Sequence, residues 1–380
     1  MRAHDDETAR EALVGTAVAA AAALLAFLVG NPFAVLDSSA FRDGLSHQSD
    51  ATGSDLGKLG APREGGLHYY LWTLTWGLGW VPALAALGGA VVACVRDRRA
   101  ALLLVPAPLL FLAFMSLQTR FFGRWLLPVY PLLCLLAALG ALAAVTALTA
   151  WLGPRTGRAR AVGTVLTVVA GIALCVQGLV HVVHVDRVLA GPDTRAQTRD
   201  WMTAHLPPRT RVVIEPVAPD SWVRDGGLPG APGRNRWVKW PVFRTAVQPD
   251  GTLGFSRVVG VEDYERTLRP QLLHAYEAGG YCYVVVGSTQ RGRSGVHPSD
   301  TAAARRYYAE LQRRGTVVYR ASPFARGGER VPFNFDWSFD YYPLAYKRAG
   351  PVMTVYRLNG GRCAGVPGIG ARPAGAAATG

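Results

Sequence analysis

The chain has 380 residues; half are hydrophobic, 17% are charged, and the formal charge is +14. Residues 1–185 carry 13 Lys+Arg and 10 Asp+Glu, separated by apolar stretches too long for a soluble core. Residues 186–380 carry 27 basic and 16 acidic residues, so +11 of the +14 sits in the second half. The division reads as a membrane half followed by a basic, water-soluble half, which excludes a uniform soluble globule.

The leader MRAHDDETARE is acidic as well as basic and precedes an apolar stretch at 12–30. No small-residue cleavage site stands out before Asn31-Pro32, so the stretch is expected to be a retained helix rather than a signal peptide. Four further spans follow at 71–95, 100–118, 125–152 and 162–184. Each is near or above the ~20 apolar residues that cross a bilayer core. Pro82, Pro106, Pro108, Pro128 and Pro131 do not veto them, because neighbouring helices can re-satisfy freed backbone groups. About five transmembrane helices are therefore expected.

Between the first two spans lies the loop 31–70, with Asp37, Asp43, Asp50, Asp55 and Glu64 against Arg42, Lys58 and Arg63, plus His47 and His68. SDATGSDLGKLGAPREGG, rich in Gly, Ser and Asp, reads as a mobile loop, and LHYYLW (67–72) as an aromatic belt at the membrane interface. The loop acids with His68, Tyr69 and Tyr70 could line a sugar site. Ordinary loop polarity with an aromatic anchor explains the same residues.

Orientation follows from RDRR at 96–99 and PRTGRARA at 154–161, each with three arginines close to span ends. The positive-inside rule puts both in the cytoplasm. The N-terminus is then inside, and the loop 31–70 and everything after 185 are outside. Arg120 and Arg124, in TRFFGRWLLPVY at 119–130, become exceptions on the outer face. Two readings are open. They snorkel to the outer headgroups, or their guanidinium forks grip a phosphate there.

The second half reads as an α/β unit over 186–363 with a disordered tail at 364–380. Expected strands are 211–217, 281–288, 316–321 and 352–358, rich in β-branched and aromatic residues. Expected helices are 194–205, 262–278, broken or kinked at Pro270, and 300–314 with Ser299 as N-cap. Alternating helices and strands argue for some parallel pairing. The Pro/Gly/Trp/Arg-rich stretch 218–258 shows no periodicity.

Signatures for nucleotide loops, CxxC and HExxH are absent. His181 and His184 share a helix face without a third ligand, so no metal ligand is assigned. Cys94, Cys134 and Cys175 fall in spans; with Cys282 and Cys363 the count is odd, and no disulfide scaffold is expected. A basic surface on the outer side favours membrane lipid over nucleic acid as the anionic partner.

Several stretches share their order with one family. RFFGRWLLPVYPLLCLLAALGAL (120–142) resembles the R-F-x-R-Y-L-L-P-x-x-P helix start of GT-C glycosyltransferases that use polyprenyl-phosphate sugars, the relatives of protein O-mannosyltransferases and lipid A aminoarabinose transferases. GNPFAVLDSSAFRDGLSHQ (30–48) resembles the exit of a helix into their outer loop. DTRAQTRDWMTAHLPPRTRVVIEP (193–216) is similar to the opening of their extracytoplasmic domain, and FNFDWSFDYYPLAYKRAGPVMTVYRL (333–358) to its closing segment.

The resemblance implies transfer of a sugar from polyprenyl phosphate to an acceptor at the outer face, with Arg120 and Arg124 on the lipid phosphate and a divalent metal as a cofactor of the family. It does not supply the catalytic residues. The family's acidic first loop has no match here, and its additional N-terminal helices are not found. The chain therefore looks like the C-terminal part of such an enzyme, either as a separate gene product, with another chain to supply the missing helices, or as a shortened reading frame. The alternative is a non-catalytic membrane subunit or a lipid-phosphate or glycan-binding module. A transporter is disfavoured, since no charged residue falls inside the five spans.

Overall fold

In the computed structural model the described residues are 2–53, 65–118, 121–218, 220–224, 235–242, 245–247, 253–255, 264–296, 301–325 and 342–365. They form two compact units, residues 1–56 with 118–120, and residues 57–117 with 121–380.

The first unit begins with α1 (Arg2–Gly30), which runs ten residues further toward the N-terminus than the apolar stretch alone. After Asn31-Pro32 the chain forms α2 (Phe33–Leu36) and α3 (Ser38–Gly53). Asp37 caps α3, with its carboxylate accepting from Ser39 Oγ at 3.0 Å and from the Ala40 amide at 3.1 Å. The first half of the expected loop 31–70 is thus helical. An acid followed by two serines outweighed the Gly/Ser content, because the cap satisfies amides that would otherwise be orphaned.

The second unit opens with α4 (Gly66–Leu74), a π-helical turn at Thr75–Gly79, and α5 (Trp80–Arg96). Then follow α6 (Arg98–Leu104), capped by Asp97, and α7 (Pro106–Ser116). A 3-10 turn at Gly123–Val129 leads into α8 (Tyr130–Thr156), and α9 (Ala159–Ala190) closes the layer. Among the described residues, five helical stretches are long and apolar enough to cross a membrane. They are Leu13–Gly30, Gly66–Arg96, Arg98–Ser116, Gly123–Pro154 and one within Ala159–His205.

Close packing in this layer runs through small residues. Ala86, Gly89 and Ala93 are buried along α5, and Leu136 and Ala137 along α8. A Cβ on Gly89 would stand 1.8 Å from the Leu136 carbonyl oxygen, and one on Gly140 would stand 2.2 Å from that of Ala85. Backbone meets backbone here, a contact only glycine permits.

Gln177 of α9 reaches the π-helical turn. Its amide donates to the Thr75 carbonyl at 2.9 Å and accepts from the Trp80 amide at 2.9 Å. Gly79, at φ +108°, supplies the backbone turn that separates those two groups. One side chain thereby restores the hydrogen bonds the broken helix lost.

The remainder is an α/β domain led by α10 (Thr194–His205), which Asp193 caps through the Arg195 amide. Its five-stranded sheet has the order β2-β1-β5-β7-β6, built from β1 (Arg211–Ile214), β2 (Val238–Lys239), β5 (Tyr283–Gly287), β6 (Gly315–Ala321) and β7 (Met353–Leu358). β1 pairs in parallel with β2 and β5, while β7 is antiparallel to β5 and β6, so the expected parallel pairing is present. β3 (Thr245–Val247) and β4 (Leu253–Phe255) form a separate hairpin.

The helices are α11 (Tyr264–Thr267), α12 (Gln271–Gly279), α13 (Ser288–Val296) and α14 (Ala302–Arg314). The break before α12 falls at Pro270, as expected from its missing N–H. The N-cap of α14 is Thr301 rather than Ser299, which lies outside the described residues. The stretch 218–258 is not structureless: it supplies the edge strand β2 and the hairpin. Two- and three-residue strands are too short to print a period on the sequence.

Cys282 and Cys363 form a disulfide. This corrects the expectation from cysteine count. The three other cysteines are free on the helices, and the bonded pair is separated by 81 residues with no local spacing to betray it. The tail from residue 366 lies outside the described residues.

Candidate functional site

The segment 121–130 packs on the start of α4. Phe121 stacks on Tyr69 with ring centroids 5.5 Å apart and meets the edge of Tyr70 at 5.9 Å. Gly66 makes this approach feasible, since a Cβ there would lie 2.3 Å from the Ser116 carbonyl oxygen and 2.6 Å from the Phe121 ring. Leu126 and Val129 complete a buried cluster with Tyr69, Tyr70 and Phe121.

Phe122 is extended, and Pro128 and Pro131 lack the amides that a regular ladder would use. The chain therefore turns through a 3-10 helix, and α8 starts at Tyr130 rather than at Trp125. The expected span 125–152 thus opens with a 3-10 turn, and the first α-helical residue lies six positions beyond Arg124.

Arg124 is exposed at this surface, with its guanidinium carbon 4.2 Å from the centre of the buried Phe122 ring. Phe122 in turn touches Trp125 at 5.1 Å. His68 is also exposed, whereas Tyr69 and Tyr70 are buried at 4% and 0%. The tyrosines are therefore part of the buried packing under the 121–125 segment rather than exposed contact residues. The Tyr69 hydroxyl is buried without a hydrogen-bond partner among the described residues.

Arg120, Asp55 and Glu64 lie outside the described residues, as does the side chain of Asp50. Asp37, Arg42, Asp43 and His47 are exposed in the first unit. Among the described residues no group of three His, Cys, Asp or Glu side chains could hold a metal ion. His184 Nε2 lies 3.0 Å from the Pro343 carbonyl oxygen, which joins α9 to the sheet domain and gives that histidine a structural contact.

A second polar cluster, which the sequence reading did not single out, sits inside the α/β domain. Glu215 follows β1 and is fully buried. It accepts a hydrogen bond from the Tyr308 hydroxyl at 2.8 Å and one from the Gly287 amide at 3.2 Å. Burial pushes its carboxyl up to about 8, Glu265 nearby adds to the rise, and the two hydrogen bonds oppose it. Glu265, also fully buried, pairs with Arg293 at 3.6 Å. The signal was present, since Glu215 is the last acid of the RVVIEP strand, but a strand-end acid normally reads as exposed.

No family model matches the chain, and no curated protein or solved structure matches it.

Proposed function

We propose that the chain is a multi-pass plasma-membrane protein of the GT-C glycosyltransferase type, acting on a polyprenyl-phosphate-linked sugar at the outer membrane face. The observation that carries this reading is the packing of the 121–125 segment on Tyr69 and Tyr70. It makes an aromatic wall with Arg124 exposed at its edge, just where a long apolar stretch begins. A guanidinium beside aromatic and apolar surface suits a phosphate headgroup whose isoprenoid tail runs into the hydrocarbon. The shared order of sequence motifs supplies the family, and the sugar acceptor is assigned to the surface around His68.

In such chemistry a carboxylate takes the proton of the acceptor hydroxyl while cations stabilise the leaving phosphate. Arg120 and Arg124 take the second role, and no residue is assigned to the first. The proposed orientation has the N-terminus in the cytoplasm and the α/β domain outside. It accords with arginine-rich turns at 96–99 and 154–161 and with a disulfide in the domain, since disulfides persist in oxidising compartments.

The test is binding of a polyprenyl phosphate to wild type and to well-inserted Arg124→Ala, Arg124→Lys, Arg120→Ala and Arg120→Lys. A charge-assisted contact is worth roughly 1.5–3 kcal/mol, so each alanine should weaken binding about ten- to a hundredfold. Lysine keeps the charge but loses the fork and should rescue in part. Unchanged affinity in both alanine variants would overturn the phosphate reading and leave simple membrane anchoring.

A further inference from the structure

A cleft of about 530 Å³ opens at the β2 edge of the α/β domain, far along the chain from Arg124 and formed by different elements. It is lined by Arg209, Arg224 and Lys239, with Asn235 and with Val223 and Trp237 as apolar wall. Its basic lining residues come from three separate segments: Arg209 in the turn before β1, Arg224 just after the 3-10 turn at Asp220–Val223, and Lys239 in β2.

The walls of the cleft are held by hydrogen bonds to the backbone. Arg199 of α10 donates to the carbonyls of Trp222 at 2.8 Å and Arg224 at 2.7 Å, which fixes the turn. Arg224 and Asn235 are joined as an antiparallel bridge, and the Arg236 amide donates to Val223 at 2.9 Å. On the other side the Val238 amide donates to Thr210 at 3.0 Å, and the Arg209 amide donates to Arg236.

Arg209 is also the single non-glycine residue with positive φ among the described residues, at +65°. A left-handed arginine is strained relative to glycine, and such strain gathers at binding sites. Glycine or asparagine would relax the turn, yet an arginine stands there and lines the cleft.

We propose that this cleft binds a phosphate group, with the guanidinium forks of Arg209 and Arg224 and the Lys239 ammonium on its oxygens and Asn235 as a neutral donor. Arginine forks match the tetrahedral oxygens of phosphate in a bidentate way, and the apolar wall keeps part of the site out of water. The group is carried either by a soluble phosphate ester or by an anionic lipid headgroup, and the site is independent of Arg124.

The experiment uses the full chain in nanodiscs of neutral phospholipid, titrated with inorganic pyrophosphate by calorimetry. Wild type should bind, and Arg224→Gln and Lys239→Gln should each weaken binding about tenfold. Arg209→Gly is the decisive variant, since it removes strain and charge together. It should melt no lower than wild type and still lose about tenfold, a result misfolding cannot produce. No binding to wild type, or unchanged binding in all three cleft variants, overturns the proposal. Repeating the titration in nanodiscs with anionic lipid separates the two sources. Weaker apparent pyrophosphate binding by wild type means headgroups occupy the cleft, and unchanged binding assigns it to a soluble ester.

Discussion

On α5 of the helical layer, Ala86, Gly89 and Ala93 are buried while Leu84, Leu87 and Val91 are 64%, 65% and 57% exposed. In the α/β domain the rule is inverted: Val212, Val213, Val284, Val285 and Leu358 are at 0%, around a sheet whose central strand β5 is buried along its whole length. One chain thus packs in two ways. In water, burying large apolar side chains is the main driving force, worth about 1.5–3 kcal/mol each. In hydrocarbon that force vanishes, and helices associate by close backbone approach and by polar side chains that restore hydrogen bonds. The small-residue seam between α5 and α8 and the Gln177 clamp have the form that helices in hydrocarbon favour.

The comparison can be broken most severely at the disulfide. Cys282 and Cys363 close a separation of 81 residues within the sheet domain, for which chain entropy implies a stabilisation of about 4 kcal/mol. Cys282→Ser with Cys363→Ser should lower the domain's unfolding midpoint by a corresponding margin in urea. The helical layer, read by its own tryptophans, should be unchanged. Equal losses in both would mean that the two parts unfold as one.

The seam offers an internal control. Gly89→Leu pushes a side chain into the Leu136 carbonyl, whereas the neighbouring Gly88 has nothing within 4 Å of its would-be Cβ. Gly89→Leu is expected to cost about 3 kcal/mol in detergent, and Gly88→Leu nothing measurable. Similar melting temperatures for the two variants would remove the seam from the account.

Glu215 tests the aqueous rule from its costly side. Burial pushes its carboxyl up to about 8, against 4.5 for an ordinary glutamate. Because the folded value is raised, the protonated form is favoured in the fold. The domain should therefore lose stability as pH rises from about 4.5 to about 8, and no further from this group above that. Glu215→Gln mimics the protonated acid and should flatten that slope, leaving the variant the more stable one at pH 9. A wild-type stability curve that is flat across this window would show that the carboxyl is not desolvated.

The smallest effect is expected at Gln177. Gln177→Leu leaves the Thr75 carbonyl and the Trp80 amide without their side-chain partner. Polar contacts between membrane helices average well under 2 kcal/mol, so a loss of about 1 kcal/mol is expected in thermal melts. Gln177→Asn, too short to span both groups, should behave like the leucine variant.

Much of this architecture was legible in the sequence because its causes are local or compositional. Apolar length marks a candidate span whatever it packs against, so all five stretches could be read from hydropathy. The strands of the sheet core were found within a few residues by their β-branched runs, and Pro270 announced its break by lacking an N–H. Asp37-Ser38-Ser39 carried a helix cap that the surrounding Gly and Ser obscured. Other features depend on residues distant in sequence. Nothing near Cys282 points to Cys363, and nothing in WGLGW points to Gln177, about a hundred residues later. The approach of Phe121 to Tyr69 needs Gly66 against the end of α7. The cleft of Arg209, Arg224 and Lys239 exists because β2 joins β1 in parallel. The sequence by itself determined which segments are apolar, which extend and where they stop, since those follow from each residue's neighbours. Which segments meet was decided only by tertiary structure, because that choice is made by shape and by hydrogen bonds that have no period along the chain.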